Sequence, residues 1–466
     1  MCYKKLFLAA VVVAGLSLMG CNKDKDKGPK QDALSNVDLE RIMNSPYSTL
    51  SPDEQKVKLE NESIDILNEL KPLSSLQVFD AFQYFIELID EYGGPDIEMV
   101  TEGSNPAQEI LQVSNGYGVY TWNASKKNWT QTASTSELKF IFPASAKSSS
   151  NNATLSLTAG STGITITQIW YDDYWDEDCW CYKSYDEPQE GIIHIPTSVT
   201  GTLTVDSKTA KVEISATYKK STYEFDDFKT TGYPESVSYK LTFEGYVWWY
   251  TLGKSGNDTK LEMALKHNNK SVIEAMYKVG ITLDQVFDKI ETIEDYEDIE
   301  KVYGKVNTIG YLKLMDNLVL VYQVDDIAKF VNEMNKEEED YYGWCSQNYF
   351  TQRASENKKN SDNLTKAMNN HLKVSLASTK DGTKIATLVV KSDVVDEYWN
   401  HPTTWNSGYE CWDEDYYGWI KYYDMYEPVP YLKFGDGSVI EAEAYFTGFN
   451  NLESSWEDFV ESFNRE

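Results

Sequence analysis

An α+β fold is predicted by two changes of hydrophobic period and one turn signal. Residues 51–100 place apolar side chains at helical spacing, and residues from about 105 to 252 switch to short alternating runs rich in Thr, Ser, Tyr and Val. Further on, Lys380-Asp381-Gly382 separates two apolar runs as a hairpin turn does, because Asp-Gly accepts the positive φ such turns demand. The expected architecture is an N-terminal helical hairpin, largely antiparallel β-sheet regions, a helical middle segment and a short C-terminal helix.

The first helix is expected over residues 52–71. Ser51 is an N-cap, Pro52 stands at the first helical position, Glu54 completes a capping box, and Val57, Leu59, Ile64, Ile66, Leu67 and Leu70 fill the following turns. After Pro72, the positions Leu76, Val78, Phe79, Phe82, Phe85, Ile86 and Ile89 repeat at helical spacing until Gly93-Gly94-Pro95 stops them. These two helices should pair as a hairpin whose apolar faces need a further layer. Strands are expected over 117–122, 138–142, 153–157, 164–170, 199–205, 212–218 and 237–249, with turns at Pro143-Ala144-Ser145 and Gly232-Tyr233-Pro234. Helical period returns with Leu283, Val286, Phe287, Ile290, Ile293, Ile299 and Val302, capped by Thr282 with Gln285 three residues on. A second helix starts near Asp325 with Ile327, Phe330, Val331 and Met334. The hairpin of 372–378 and 384–391 follows, then a turn at Gly435-Asp436-Gly437-Ser438. Ser455 caps a closing helix carrying Trp456, Phe459, Val460 and Phe463.

The chain thus divides into a signal peptide (1–20), a lipidated tether (21–50), the helical hairpin (51–100), a β-rich domain (101–255), a mixed helical region (256–345) and a β-hairpin-rich region with the C-terminal helix (346–466). Two stretches share an order of motifs. Ala153-Thr154-Leu155 leads to Trp175-Asp176-Glu177-Asp178 and Glu187-Pro188, and Ala386-Thr387-Leu388 leads to Trp412-Asp413-Glu414-Asp415 and Glu427-Pro428. The correspondence is short and leaves a true repeat open.

Composition narrows the partners. The chain has 466 residues and a formal net charge of −31, yet only 25% of it is charged, so the acidity comes from imbalance rather than from a solvated disordered tail. Arginine occurs only at Arg41, Arg353 and Arg465. With so few planar forks for gripping phosphate, nucleic acid is a poor partner.

The N-terminus gives an address. Lys4 and Lys5 precede an apolar run over 6–18, too short for the roughly 20 residues that span a bilayer but suited to a secretory signal. The run ends in Leu18-Met19-Gly20-Cys21, which resembles the lipobox of bacterial lipoproteins, with Met19 departing from the small residue usual at its position. The resemblance implies cleavage before Cys21 and acylation of its thiol and amine. Two or three acyl chains, at about 0.8 kcal/mol per buried CH₂, hold a protein on a membrane essentially permanently. Residues 22–30 are polar and read as a tether. Asn22 stands where an Asp in such lipoproteins favours the inner membrane, so the resemblance implies the cell outer membrane, with the surface and periplasmic faces both open. Lipid is the expected membrane attachment, since no other segment has 18 uncharged apolar residues. The lipobox, the charged tether, Ser51-Pro52-Asp53-Glu54, Tyr120-Thr121-Trp122, Phe140-Ile141-Phe142-Pro143 and the run from Tyr431 to Ser438 together resemble uncharacterised Bacteroidales-type surface lipoproteins. That resemblance implies location and α+β organisation only.

The candidate functional features lie in three aromatic and acidic segments, 170–185, 337–345 and 398–426, which are neither alternating strands nor helical faces. Once Cys2 leaves with the signal peptide and Cys21 is acylated, the remaining Cys179, Cys181, Cys345 and Cys411 all fall in these segments. In an exported protein an even set reads as disulfides. A bridge from Cys179 to Cys181 across one residue is strained, so pairings to Cys345 and Cys411 are favoured, stapling the segments into one surface. Sugars present apolar C–H faces and dense hydroxyls, and call for flat rings and carboxylates. Trp175, Trp180, Trp412, Tyr417 and Trp419 are candidates for stacking, and Asp176, Glu177, Asp413 and Glu414 for hydrogen bonding. The competing reading packs the same rings on each other around the disulfides. The clustered acids also suit a calcium ion, although Asp176-Glu177-Asp178 lacks the spaced order of a known calcium loop.

Catalysis finds little support in the sequence. His194, His267, His371 and His401 are scattered, no phosphate-cradling glycine loop or G-x-S-x-G elbow occurs, and Cys179-x-Cys181 has the wrong spacing for a redox or zinc pair. The expectation is a non-enzymatic outer-membrane lipoprotein without a cofactor, binding glycan through its aromatic and acidic loops. The alternative is a structural or protein-interaction component of the envelope.

Overall fold

A computed structural model describes residues 34–93, 116–160, 163–170, 173–176, 181–184, 189–225, 234–282, 285, 304–315, 317–334, 345–408, 410–414 and 418–447. Within these residues the chain is mostly β, with 23 strands against six α-helices, and not α+β as expected. It divides into two compact units, Asp65–Phe287 and, separately, Asp32–Ile64 with Asp288–Ser455.

Helices α1 (Asn36–Met43), α2 (Pro52–Leu70) and α3 (Gln77–Tyr92) come first, with a 3-10 turn at Lys71–Ser75. Ser51 and Glu54 form the expected capping box on α2: the Glu54 carboxylate accepts from the Ser51 N–H at 2.8 Å, and the Ser51 hydroxyl accepts from the Glu54 N–H at 3.4 Å. α3 stops at Gly93, whose φ of +78° suits glycine. The two helices do not form the expected hairpin. The boundary between the units falls inside α2, so that Leu59 enters the core of the second unit while Val78, Ala81, Phe85 and Leu88 of α3 enter that of the first. Each apolar stripe finds its missing layer on a sheet instead of on the other helix.

The first unit contains β1 (Gly118–Asn123), β2 (Asn128–Ala133), β3 (Leu138–Phe142), β4 (Ala153–Ala159), β5 (Ile164–Trp170), β6 (Asp173–Asp176), β7 (Cys181–Ser184), β8 (Gln189–Ile195), β9 (Ser198–Val205), β10 (Lys208–Thr217), β11 (Thr222–Glu224), β12 (Ser236–Phe243), β13 (Tyr246–Ser255), β14 (Asp258–His267) and β15 (Lys270–Val279). Ten of them lie side by side in the order β2-β1-β3-β4-β9-β10-β12-β13-β14-β15, antiparallel except for the parallel pair β1 and β3. β11, β5 and β8 form a second small sheet, and β6 pairs with β7. Alternation along β1 and β3 turns Tyr120, Trp122, Leu138, Phe140 and Phe142 inward. There Phe85 of α3 meets the rings of Phe140 and Phe142 at 4.9 and 5.0 Å.

Residues 258–279, expected within a mixed helical region, are instead the hairpin β14 and β15. Their Leu, Glu, Met, Ala and Lys content favours helix, but Asn268 and Asn269 adopt φ of 49° and 67°, the left-handed pair a tight hairpin turn requires. Glu69, near the end of α2, fastens onto this hairpin. Its carboxylate accepts from His267 Nδ1 at 2.7 Å and Lys270 Nζ at 2.9 Å, while its carbonyl accepts from the Tyr246 hydroxyl at 2.6 Å. Those hydrogen bonds, from His267 first and Lys270 second, hold the Glu69 carboxyl below its ordinary range. The Thr282 cap forms as expected, with Thr282 N–H donating to Gln285 Oε1 at 3.0 Å. The helix expected after it and the closing helix near 456–463 lie outside the described residues.

The second unit contains β16 (Thr308–Leu314), β17 (Leu318–Val324), α4 (Ile327–Met334), α5 (Tyr349–His371), β18 (Leu372–Ser378), β19 (Thr383–Asn400), β20 (Thr403–Asn406), β21 (Cys411–Glu414), β22 (Ile420–Lys433), β23 (Val439–Glu441) and α6 (Ala442–Phe446). Its antiparallel order is β16-β17-β18-β19-β22-β23, and β20 pairs only with β21. Leu59, Leu318, Ile385, Ala386, Leu432, Phe434 and Tyr445 form its core. The chain after α1 docks beside β19: Lys384 N–H donates to the Pro46 carbonyl at 2.8 Å and Ser48 N–H to the Lys384 carbonyl at 2.7 Å. Gly435 permits this approach, since a Cβ there would lie 2.6 Å from that of Tyr47.

α5 has no counterpart in the expected β-hairpin-rich region, and it positions the site. Pairing of β18 with β19 ends at Thr387 and pairing of β23 with β22 covers Tyr431 to Lys433, so among the described residues the β19–β22 ribbon runs on without further strand neighbours. Two asparagines of α5 take up the exposed main chain. Asn369 donates to the Val390 carbonyl at 2.7 Å and accepts from its N–H at 2.9 Å, and Asn357 does the same for Tyr426 at 3.3 and 2.7 Å.

Candidate functional site

The far end of the β19–β22 ribbon gathers several aromatic residues of the second unit into an inner and an outer group. Phe350, at the start of α5, stacks on Tyr422 with centroids 3.7 Å apart and meets Trp412 edge-on at 5.8 Å. Trp412 and Trp405 face each other across the β20–β21 pair at 5.4 Å, and the Trp412 indole N–H donates to the Ser346 carbonyl at 2.8 Å. Cys345 is bonded to Cys411 beside them, with Cα atoms 4.0 Å apart. These rings pack on one another and hydrogen-bond within the unit.

The outer group faces solvent. Trp419 is 62% exposed, with its ring 4.4 Å from that of His401, whose Nδ1–H donates to the Gly418 carbonyl at 2.8 Å. Trp399 is 49% exposed, and its indole N–H donates to Glu397 at 3.1 Å. Register places the two together, since Asn400 pairs with Ile420 and Trp399 with Lys421. Behind them Tyr398 and Tyr423 stack at 4.8 Å, and burial pushes the Tyr423 hydroxyl above its ordinary value. Lys421 bridges Glu397 at 2.6 Å and Asp424 at 2.5 Å, and these hydrogen bonds, Asp424 first, raise its pKa.

Comparison of the chain with known protein families, with curated proteins and with solved structures finds no match. What the site can do therefore follows from its own residues.

Of the expected ligand-binding residues, Trp412, Asp413 and Glu414 lie on β21 and Trp419 immediately precedes β22, while Tyr417 lies outside the described residues. Trp175 and Asp176 are on β6 of the first unit, and Glu177 and Trp180 lie outside the described residues. The expected pairing of Cys179 and Cys181 with Cys345 and Cys411 is not formed. Cys345 and Cys411 bond to each other, so the staple joins two of the three segments, both in the second unit. Cys181 opens β7, and Cys179 lies outside the described residues. The two stretches with shared motifs each place their Trp-Asp pair on a two-stranded ribbon, β6–β7 and β20–β21, but Ala153 opens its strand whereas Ala386 lies inside β19.

The sequence reading did not single out Trp399, His401 or Glu397. The strand after the Asp-Gly turn does not stop at Lys391 but continues to Asn400, and the polar residues between Lys391 and Glu397 together with register shifts at Val394/Asp396 and Tyr398/Trp399 hide its alternation. Among the described residues, no group of three or more His, Cys, Asp or Glu side chains is arranged to hold a metal ion, so the calcium expectation gains no support there.

Proposed function

We propose that this chain is a lipid-anchored outer-membrane protein that binds glycan at the outer end of the β19–β22 ribbon. One observation carries the reading: two tryptophans at one ribbon end, Trp399 and Trp419, are largely exposed while a hydrogen bond to Glu397 and a ring contact with His401 hold them in place. A fixed, exposed indole offers stacking area at low entropic cost, and the adjoining carboxylates of Glu397 and Asp424 supply acceptors for sugar hydroxyls. The anchor at Cys21 follows from the lipobox, and among the described residues no helix is long and apolar enough to cross a membrane.

Glycan-array screening of the purified chain with Cys21→Ser, which leaves it unacylated, tests the reading. Binding that is lost in Trp419→Ala and Trp399→Ala, with thermal unfolding unchanged, is the expected result. A second reading rests on Val394, Val395 and Ile420, which are also exposed on this ribbon and suit a protein neighbour. No array signal together with a reproducible envelope partner crosslinked through the ribbon would replace the first reading by the second.

A further inference from the structure

The charges around the outer tryptophans restrict which glycans this site accepts, an inference that rests on the reading just given. The two paired stretches 391–400 and 420–429 carry five carboxylates, Asp393, Asp396, Glu397, Asp424 and Glu427, against two lysines. Both lysines are already engaged. Lys421 lies between Glu397 and Asp424, and Lys391 sits over the Tyr431 ring with its nitrogen 3.9 Å from the centroid. An anionic sugar laid on Trp399 or Trp419 would therefore meet carboxylates and no uncommitted cation on this ribbon. An amine-bearing sugar would meet a net negative charge, since the Arg353 guanidinium of the covering helix α5, which also acts on Tyr423, is itself paired with Glu356 at 3.1 Å.

We infer that the site selects neutral and amine-bearing glycans and rejects sulfated or uronate-rich ones. Lys421 is the residue through which this selection is set. Held by two carboxylates it is electrostatically spent, and the pair it joins still leaves a net negative charge beside Trp399. Removing both partner charges frees the ammonium and turns the Glu397–Lys421–Asp424 group from net −1 to net +1, while the two stretches together change from −3 to −1.

Intrinsic tryptophan fluorescence titrations with three hexasaccharides test the selection at about pH 6 and low salt, where amino sugars are protonated and exposed carboxylates are ionised. The probes are an N-acetylglucosamine hexamer, its de-N-acetylated counterpart and a heparin-derived hexasaccharide. The amine-bearing hexamer is expected to bind about fivefold tighter than the N-acetylated one, the size of one or two exposed ion pairs, and to lose that margin as salt is added. The sulfated probe is expected to show no saturable quenching. In Glu397→Gln with Asp424→Asn, the amine preference should vanish and the sulfated probe should begin to bind, a gain that loss of folding cannot produce. Binding of the sulfated probe to the unmodified chain as tightly as the N-acetylated one, or equal binding of the amine-bearing and N-acetylated probes, overturns the selection and leaves the glycan reading standing. If none of the three binds and the array is also blank, both fall together.

Discussion

The bond between Cys345 and Cys411 offers a direct measure of how far covalent constraint holds the second unit in shape. It closes a loop across a sequence separation of 66 residues that encloses α5, β18, β19 and β20, the elements that carry the ribbon and its helical cover. Cys345 is exposed and Cys411 half-buried, so replacing both by serine removes little apolar packing, and the main effect is freedom returned to the unfolded chain. For a loop of this length the chain-entropy relation gives about 4 kcal/mol at 25 °C. With a urea slope of about 2 kcal/mol per molar, the unfolding midpoint of this unit should fall by about 2 M in Cys345→Ser with Cys411→Ser. Hydrogen exchange read by mass spectrometry along the urea series separates the units: peptides from β19 and β22 should lose protection early, whereas those from β12 to β14 should not move. A midpoint shift below about 0.5 M would refute the reasoning, as would peptide mapping under non-reducing conditions that finds Cys345 or Cys411 joined to Cys179 or Cys181.

Three other outcomes follow from contacts already described. Trp412→Ala should destabilise the second unit by about 3 kcal/mol, since its ring packs on Phe350 and Trp405, whereas Trp419→Ala should stay within about 0.5 kcal/mol, and equal losses by thermal unfolding would erase the distinction between inner and outer rings. Asn369→Ala leaves the N–H and carbonyl of buried Val390 without their partner and should cost about 2 to 4 kcal/mol in urea unfolding, while a loss under about 0.5 kcal/mol would mean that water replaces the amide without penalty. The Glu69 carboxyl is held below its ordinary value of 4.5, so its ionised form stabilises the first unit above that pH, and the contribution is lost as pH falls through the lowered folded value. Glu69→Gln should accordingly lower stability at neutral pH and flatten the acid limb of the stability profile below about pH 4.5, and acid limbs that run parallel in the two proteins would contradict the assignment.

Much of the first unit's strand pattern was legible where one face of a strand is buried, as in β1, β3 and β9. Alternation alone marks 138–142, and the limits Leu138–Phe142 and Ile164–Trp170 agree with the reading to the residue. The hairpin at Asp381-Gly382 was legible from turn chemistry, and Gly382 does take the positive φ expected, +67°. Two kinds of element escaped. β14 and β15 are built from helix-favouring residues, and tertiary pairing overrides their propensity; the sign of it was the Asn268-Asn269 turn rather than any period. α5 escaped for the opposite reason. Its buried positions are Phe350, Ser361, Ala367 and His371, too few and too polar to make an apolar stripe, because it holds the ribbon largely through asparagine and serine hydrogen bonds. The site was legible as composition, a density of Trp, Tyr and acids, but which rings are covered and which exposed depends on where α5 lies, and this no local pattern encodes.

The docking of residues 46–48 against β19 decides which unit carries the load of the proposed anchor. α1 packs on β17, β18 and β19, and the chain preceding it is the segment proposed as a tether from Cys21. Fourteen residue steps separate Cys21 from the Ser35 cap, a reach of at most about 50 Å when fully extended. An acylated Cys21 would thus leash the second unit to within that distance of the bilayer, and any pull on the lipid would be borne first by α1 and the Pro46, Ser48 and Lys384 hydrogen bonds. The tryptophan end of the ribbon belongs to the same unit, so with the proposed anchor in place any ligand bound there would be held in a layer next to the membrane rather than at the end of a free arm.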